Sequence, residues 1–266
     1  MTRLSNSDYL ALLRSSELES VLSILAKQKR KTCQLNILEI GAGTGWQARR
    51  LSEAGYDVQA IDLEQGNKPE TRVWPVIEYD GRHLPFVDNY FDVVFSSNVL
   101  EHIPHLVEFQ SEIHRVLKPD CLVMHVLPSC SWRLWTSVSH YPYLIKMLMR
   151  IFVGRKGGTL DPGDAQASAR IQGRSKAELI KKALIPARHG ETGSSLTELY
   201  TFSRPRWRTV FRKSGWKIEK TIPNRLFYTG NLILGSAISL TSRKYLSYVL
   251  GSSCHVFVLT REAKKT

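Results

Sequence analysis

The chain has 266 residues, 42% hydrophobic and 23% charged, with a formal net charge of +13. That length and apolar content exclude a disordered chain and a small scaffold that depends on disulfide or metal staples. No apolar run reaches the roughly 18 residues of a membrane-spanning helix, and the start, MTRLSNSDYL, has no uninterrupted apolar core of a secretory signal. Cys33, Cys121, Cys130 and Cys254 form no C-x-x-C pair, so neither a disulfide framework nor a metal site is expected.

The charge is unevenly placed. Residues 1–130 carry 13 Lys and Arg against 17 Asp and Glu, whereas residues 131–266 carry 24 against 7. A basic half of this kind attracts anions: phosphorylated small molecules, an acidic lipid surface or nucleic acid.

Ser7 is placed to cap a first helix, along which Leu10, Leu13, Leu18, Val21, Leu22 and Leu25 recur at roughly helical spacing. The basic run 27–31 suits the end of that helix, where cations meet the negative end of the dipole. Residues 35–40 read as a short apolar strand ending in a glycine cluster, and 46–54 as a helix stopped by Gly55. Strands follow at 58–61, 76–79 and 91–96, then a helix at 107–117 ended by Pro119, then a fifth strand at 121–127. Near-continuously apolar strands alternating with helices predict a parallel α/β sheet.

After Pro128 the regularity breaks. Residues 131–153 are rich in Trp, Tyr, Leu, Ile and Met, and 154–174 form a glycine-rich loop. Ser175 with Glu178, and Ser195 with Glu198, have the spacing of capping boxes. A helix at 203–214 and strands at 216–222 and 253–260 resume the alternation. Residues 129–200 thus read as an insertion between the fifth strand and the last helix of the sheet.

The chemistry concentrates at Leu38-Glu39-Ile40-Gly41-Ala42-Gly43-Thr44-Gly45, a strand-to-helix turn in which glycines let the backbone bend sharply and approach a ligand. Asp62 ends the next strand, 21 residues after Gly41, where a carboxylate can accept hydrogen bonds from ribose hydroxyls. The spacing is G-x-G-x-G rather than the dinucleotide G-x-G-x-x-G. Downstream stand Tyr79-Asp80-Gly81, Leu84-Pro85-Phe86, Phe91-Asp92-Val93-Val94, Asn98-Val99-Leu100-Glu101-His102 and Arg115-Val116-Leu117-Lys118-Pro119.

With these motifs in this order the chain resembles the class I S-adenosylmethionine-dependent methyltransferases, most closely their small-molecule, ubiquinone-biosynthesis-like (type 11) branch. The resemblance covers residues 36–127, with weaker extension over 203–222 and 253–260. It implies a Rossmann-like α/β fold, a mostly parallel sheet with an antiparallel last strand and an inserted helical and loop lid. The division it implies is a cofactor-binding core at 1–128, a substrate-recognition lid at 129–200, and a C-terminal helix and strands at 201–266. The implied cofactor is S-adenosyl-L-methionine. Gly41, Ala42, Gly43 and Gly45 would pass under its methionine moiety, with Glu39 supporting the turn and the amino group. Asp62 and Leu63 would meet the ribose, and Asp80 the adenine amino group, with Gly81 and Arg82 beside the ring. Asn98 would lie near the reaction centre.

Two departures from the family pattern stand out. Only about 14 residues separate Asp62 from Val76, with Pro69 and Pro75 among them, so the usual second helix is expected to be short or absent. The usual Lys-Pro-Gly-Gly turn reads Lys118-Pro119-Asp120-Cys121. Trp46 reads as core.

Methyl transfer asks the protein chiefly for alignment and exclusion of water, because the sulfonium is already activated. A hydroxyl acceptor would profit from a general base, and His102 is the nearest candidate by position. His140, Tyr141, His189 and Tyr200 read as structural. On a helix, Trp207, Val210 and Phe211 share one face while Arg204, Arg208 and Arg212 form another stripe, suited to an anionic partner or to solvent. The expected function is methyl transfer to a small or lipid-linked, anionic acceptor, of glycan or isoprenoid type, in a cytoplasmic protein with peripheral contact to anionic membrane. The alternatives are an RNA methyltransferase and a non-catalytic cofactor-binding partner protein. The oligomeric state is not legible.

Overall fold

A computed structural model describes residues 6–27, 34–64, 69–152, 186–232 and 235–262. Seven strands form one sheet in the order β3-β2-β1-β4-β5-β7-β6. These are β1 (Asn36–Ile40), β2 (Asp57–Leu63), β3 (Ile77–Tyr79), β4 (Phe91–Ser97), β5 (Leu117–Pro128), β6 (Trp216–Pro223) and β7 (Cys254–Arg261). The first five run parallel, and β7 is antiparallel to both β5 and β6. β1 pairs with β2 on one side and β4 on the other, aligning Ile40 with Ile61 and Ser96. The strand order reverses there, and ligands of open α/β sheets bind beyond the carboxyl ends of the strands at such a point.

Alternation along the strands sends apolar side chains to both faces, as a doubly covered sheet requires. Ile37, Val58, Val93, Phe95, Val126 and Val256 face a core shared with α1 (Asn6–Ala26) and α2 (Trp46–Glu53). Leu38, Ile40, Val94, Val123 and Phe257 face a second core built with α3 (Leu106–Val116) and the 204–213 helix. Burying a side chain such as Phe109 or Phe211 contributes about 1.5–3 kcal/mol. Trp46 packs against the first core.

Several details differ from the sequence expectation. The third helix ends at Val116 and β5 begins at once, so Pro119 lies inside a strand. The β4–β5 register shifts between Phe91 and Val93, and Asp120 takes a positive φ of 58° beside it. Proline has no N–H for a ladder, and an interrupted pairing is where a strand tolerates it. The apolar stretch after Pro128 begins as one long helix, α4 (Cys130–Phe152), which accommodates Pro142. Ser195 caps nothing: Ser194 Oγ accepts from the Thr197 amide at 3.3 Å at the start of α5 (Thr197–Thr201), and Glu198 turns inward. Ser203 caps α6 (Arg204–Lys213), accepting from the Arg206 amide at 3.4 Å. The sequence reading contained no α7 (Leu240–Leu250), whose N-terminus is capped by Ser239.

Between Asp62 and Val76 the described residues hold one turn of 3₁₀ helix, Pro69–Thr71. Among the described residues Cys121, Cys130 and Cys254 form no disulfide. Cys33, the basic run at 28–31, the glycine-rich run 154–174 and the Ser175–Glu178 capping box lie outside the described residues. Among the described residues no helix is long and apolar enough to cross a membrane.

Candidate functional site

The turn after β1 is shaped by three glycines in the left-handed region, Gly41, Gly43 and Gly45, at φ 72°, 59° and 77°. The Gly41 and Ala42 amides both donate to the Ile61 carbonyl, at 2.9 and 3.0 Å, which fixes the turn against β2. A Cβ on Gly41 would stand 2.3 Å from Val99 Cγ2, and one on Gly45 would stand 2.6 Å from Trp74 Cβ. Both glycines are thus required by packing as well as by φ. Trp74 belongs to the short loop that replaces a second helix, and the Val73 amide donates to the Thr44 carbonyl at 2.8 Å. That loop forms one wall of the turn.

Glu39 and Asp62 bring two carboxylates to the turn in different states. Glu39 is 1% exposed, points toward α2, and neither of its oxygens has a well-formed hydrogen bond. Burial, with Asp62 nearby, pushes its pKa up to about 8, against a smaller opposing influence of the Ala48 amide. Asp62 accepts from the Gly43 amide at 2.7 Å and from the Leu63 amide at 2.8 Å, leaving its remaining lone pairs free. Leu63 is exposed beside it. An unpartnered buried carboxylate next to a glycine cradle, with a half-committed carboxylate at its rim, fits a ligand that carries an ammonium group and a diol.

Glu39 also implies a pH effect. The folded state holds this proton more tightly than the unfolded chain. Its contribution to stability is therefore complete below about pH 4.5 and is lost as pH rises through about 8. The unfolding free energy of the ligand-free protein, from urea titration, should fall over that range with a slope of at most about 1.4 kcal/mol per pH unit from this group. Glu39→Gln should flatten the slope; an unchanged slope in that variant would refute the assignment.

Asp80 lies just after β3 with its side chain 55% exposed. Its Oδ1 accepts from the Arg82 and His83 amides at 2.7 and 2.8 Å, and Oδ2 faces His83 Nδ1 at 3.1 Å. These bonds pull its pKa down to about 2. The carboxylate closes the turn that carries Gly81, whose carbonyl faces His105 Nε2 at 3.0 Å. Arg82 is exposed. Asn98, at the end of β4, holds a positive φ of 56°, and its amide donates to the Val126 carbonyl at 2.8 Å. Asn tolerates this left-handed conformation better than most residues.

A polar chain unseen in the sequence reaches Asn98 from α1. Buried Glu17 accepts from Asn224 Nδ2 and Tyr228 Oη, both at 2.7 Å, and from Arg14 at 2.9 Å. The Cys254 thiol lies 3.2 Å from Tyr228 Oη and 3.8 Å from Asn98 Oδ1. Burial keeps both the tyrosine and the thiol protonated.

His102 closes the 3₁₀ turn Leu100–His102 just beyond Asn98. Its Nε2 is 3.9 Å from Glu101 Oε1, and His189 Nε2 approaches the same oxygen to 3.7 Å. The segment carrying His189 is latched by Glu198. One oxygen of Glu198 accepts from the His189 and Gly190 amides at 2.6 and 2.7 Å, and the other pairs with Arg133 at 3.0 Å, both partners buried. Arg133 also donates to the Ala187 carbonyl at 2.8 Å. Beside this latch lies a cavity of about 250 Å³ whose wall includes Leu100, Glu101, Gly190, Phe202, Arg206 and Trp207.

The structure thus gathers Glu39, Gly41, Ala42, Gly43, Gly45, Asp62, Leu63 and Asn98 at the carboxyl ends of β1, β2 and β4, with His102 alongside. It ties Asp80 into its own turn. Glu101, Glu198, Arg133 and His189 were missed as a group because their contacts span up to 88 positions of sequence.

A methyltransferase-domain family matches residues 38–124. The biotin biosynthesis bifunctional protein BioHC of Cellvibrio japonicus is 31% identical over 119 residues, 42% of this chain and 23% of that protein. An uncharacterized methyltransferase of Mycobacterium tuberculosis is 26% identical over 212 residues, 74% of each chain. The chain therefore spans less than a quarter of the first relative's length and about three quarters of the second's. Among solved structures, an S-adenosylmethionine dependent methyltransferase from Mesorhizobium loti superposes with a TM-score of 0.52 at 16% identity, over 94% of this chain and 100% of that one.

Proposed function

We propose, from the premise that this chain belongs to the class I S-adenosylmethionine-dependent methyltransferases, that it methylates a small or lipid-linked, anionic acceptor at a membrane surface. The cofactor supplies a methyl group already activated on a sulfonium. In this reading Glu39 takes the cofactor's ammonium group, Gly41 to Gly45 pass under its methionine, Asp62 and Leu63 meet its ribose, and Gly81 and Arg82 flank its adenine. Asn98 and His102 then border the acceptor, with residues 186–202 beside them. Asp80, its exposed carboxylate oriented by the Arg82 and His83 amides of its own turn, meets the adenine amino group.

One observation carries the choice of acceptor. Leu134, Val138, Tyr141 and Ile145 are exposed along a single face of α4, spaced by three or four residues. Tyr245, Tyr248 and Val249 are exposed on α7. The two helices adjoin, since Trp135 Nε1 donates to the Leu250 carbonyl at 3.0 Å. Arg225 stacks over Tyr248 at 4.6 Å, and Lys244 is exposed. Exposed aromatic and aliphatic side chains with cations at their edge suit a lipid interface. Arg206 at the cavity wall suits an acidic acceptor. By contrast, Leu226, Tyr228 and Leu232 are buried in the first core and offer nothing to a membrane.

Arg204, Arg208 and Arg212 are exposed on α6 and make no ion pair among the described residues. They are the feature that favours RNA instead. Sedimentation with vesicles of phosphatidylcholine and phosphatidylserine separates the two readings. Binding should rise with phosphatidylserine, fall with salt, and drop at least tenfold in Val138→Asp/Tyr141→Asp, while S-adenosylhomocysteine affinity stays unchanged. Replacing the three arginines by Gln should leave vesicle binding unchanged, whereas for an RNA acceptor it should weaken RNA binding and flatten its salt slope. Salt-steep RNA binding without vesicle binding would transfer the assignment to an RNA acceptor.

A further inference from the structure

We propose that Glu101, His102 and His189 form a binding site for a divalent first-row transition ion of the zinc type. The three ligand atoms lie within 4.8 Å of one another. Glu101 Oε1 is 3.9 Å from His102 Nε2 and 3.7 Å from His189 Nε2. Those separations exceed the reach of a hydrogen bond. They are somewhat wider than the roughly 3.3 Å between donor atoms that share a tetrahedral ion at about 2.0–2.1 Å, and small side-chain rotations close the difference.

An independent observation points the same way. The Glu101 side chain is fully buried, and neither carboxylate oxygen has a hydrogen-bond partner. A buried carboxylate left unpaired is costly, and the groups nearest it are two imidazole nitrogens that do not reach it. An ion between them satisfies all three.

The donors are held in place from outside. The His189 amide is fixed by Glu198, and the Glu191 amide donates to the Glu101 carbonyl at 3.1 Å. The His189 ring meets Trp132 edge-on at 4.7 Å and the His102 ring at 4.9 Å. These contacts hold the backbone and rings of the three donors in place. His102 and His189 remain 38% and 36% exposed, so three protein donors would leave an open position toward solvent. That is the pattern of a reactive site rather than of a closed structural one. Imidazole with carboxylate suits zinc, cobalt, iron or manganese better than magnesium or calcium. His102 follows Asn98 by four positions in the chain. A role in orienting an acceptor oxygen there rests on the methyl-transfer reading, whereas binding of the ion does not.

The test uses the full chain without an affinity tag, stripped with a chelator and titrated with Co²⁺ or Zn²⁺. Co²⁺ binding is read by its visible absorption, and Zn²⁺ by metal content after dialysis. One equivalent is expected to bind. His102→Ala and His189→Ala should each weaken binding at least about 100-fold, beyond the usual 10- to 100-fold cost of losing an outer partner. Binding of S-adenosylhomocysteine by each variant shows that it is folded. Absence of saturable binding by the wild type, or undiminished binding in both His variants, would overturn the site. Metal binding without S-adenosylhomocysteine binding by the wild type would instead remove the methyl-transfer reading and leave the ion site standing.

Discussion

Calorimetry of Gly43→Arg is expected to show no binding of S-adenosylhomocysteine, and Asp62→Ala a loss of about 10- to 100-fold. Gly43 sits at φ 59°, where a side chain strains the backbone, and its amide is the donor that ties the turn to Asp62. An arginine there costs about 1–2 kcal/mol in conformation alone and brings a cation to a turn proposed to meet a sulfonium and an ammonium. Asp62 loses less. The Ala variant forfeits hydrogen bonds of a charged acceptor, each contributing about 1.5–3 kcal/mol, but Ile61 still holds Gly41 and Ala42. Asp62→Asn should fall between wild type and Ala, because one acceptor oxygen remains. Failure of the wild type to bind, or unchanged affinity in both Gly43→Arg and Asp62→Ala, would sink the cofactor assignment.

Loss of the Arg133–Glu198 pair should produce the largest fall in stability. Both side chains are almost completely buried, at 2% and 0% exposure, and pair at 3.0 Å. Removing one charge strands the other in a low-dielectric interior. The expected cost of Glu198→Ala is about 3–5 kcal/mol in urea unfolding. The same carboxylate also takes the His189 and Gly190 amides, so the variant frees two buried donors as well. Replacing both partners by apolar residues of similar volume should cost much less than either single change, because no charge is then left alone. Hydrogen exchange should place the local effect of Glu198→Ala at 186–202, with the sheet protected as before. A Glu198→Ala midpoint indistinguishable from wild type would show that the pair does not latch this segment.

The division between what local sequence and tertiary contact decide follows from the range of the forces involved. The glycine turn, the acidic ends of β2 and β3, the apolar strands and the buried face of α6 are short-period signals, each set by a few neighbouring residues. They were legible residue by residue, including Trp207, Val210 and Phe211 buried while Arg204, Arg208 and Arg212 face out. The loss of a second helix between β2 and β3 could likewise be read from a length and two prolines.

Tertiary structure decided what depends on partners far away in the chain. Glu198 has the spacing of a helix cap, yet it turns inward because Arg133 and two amides offer a buried carboxylate more than one exposed N–H does. Asp80 has the position of an adenine contact, and three groups of its own turn fix the orientation of its exposed carboxylate. Segment 226–232, interrupted by Thr229, Gly230 and Asn231, has no period of its own, yet Leu226, Tyr228 and Leu232 are drawn into the first core. His189 reads as an isolated residue until the latch at Glu198 sets it against Glu101 and His102. No local period encodes these pairings. Burial creates them, because a desolvated charge or donor must find its partner wherever in the sequence that partner lies.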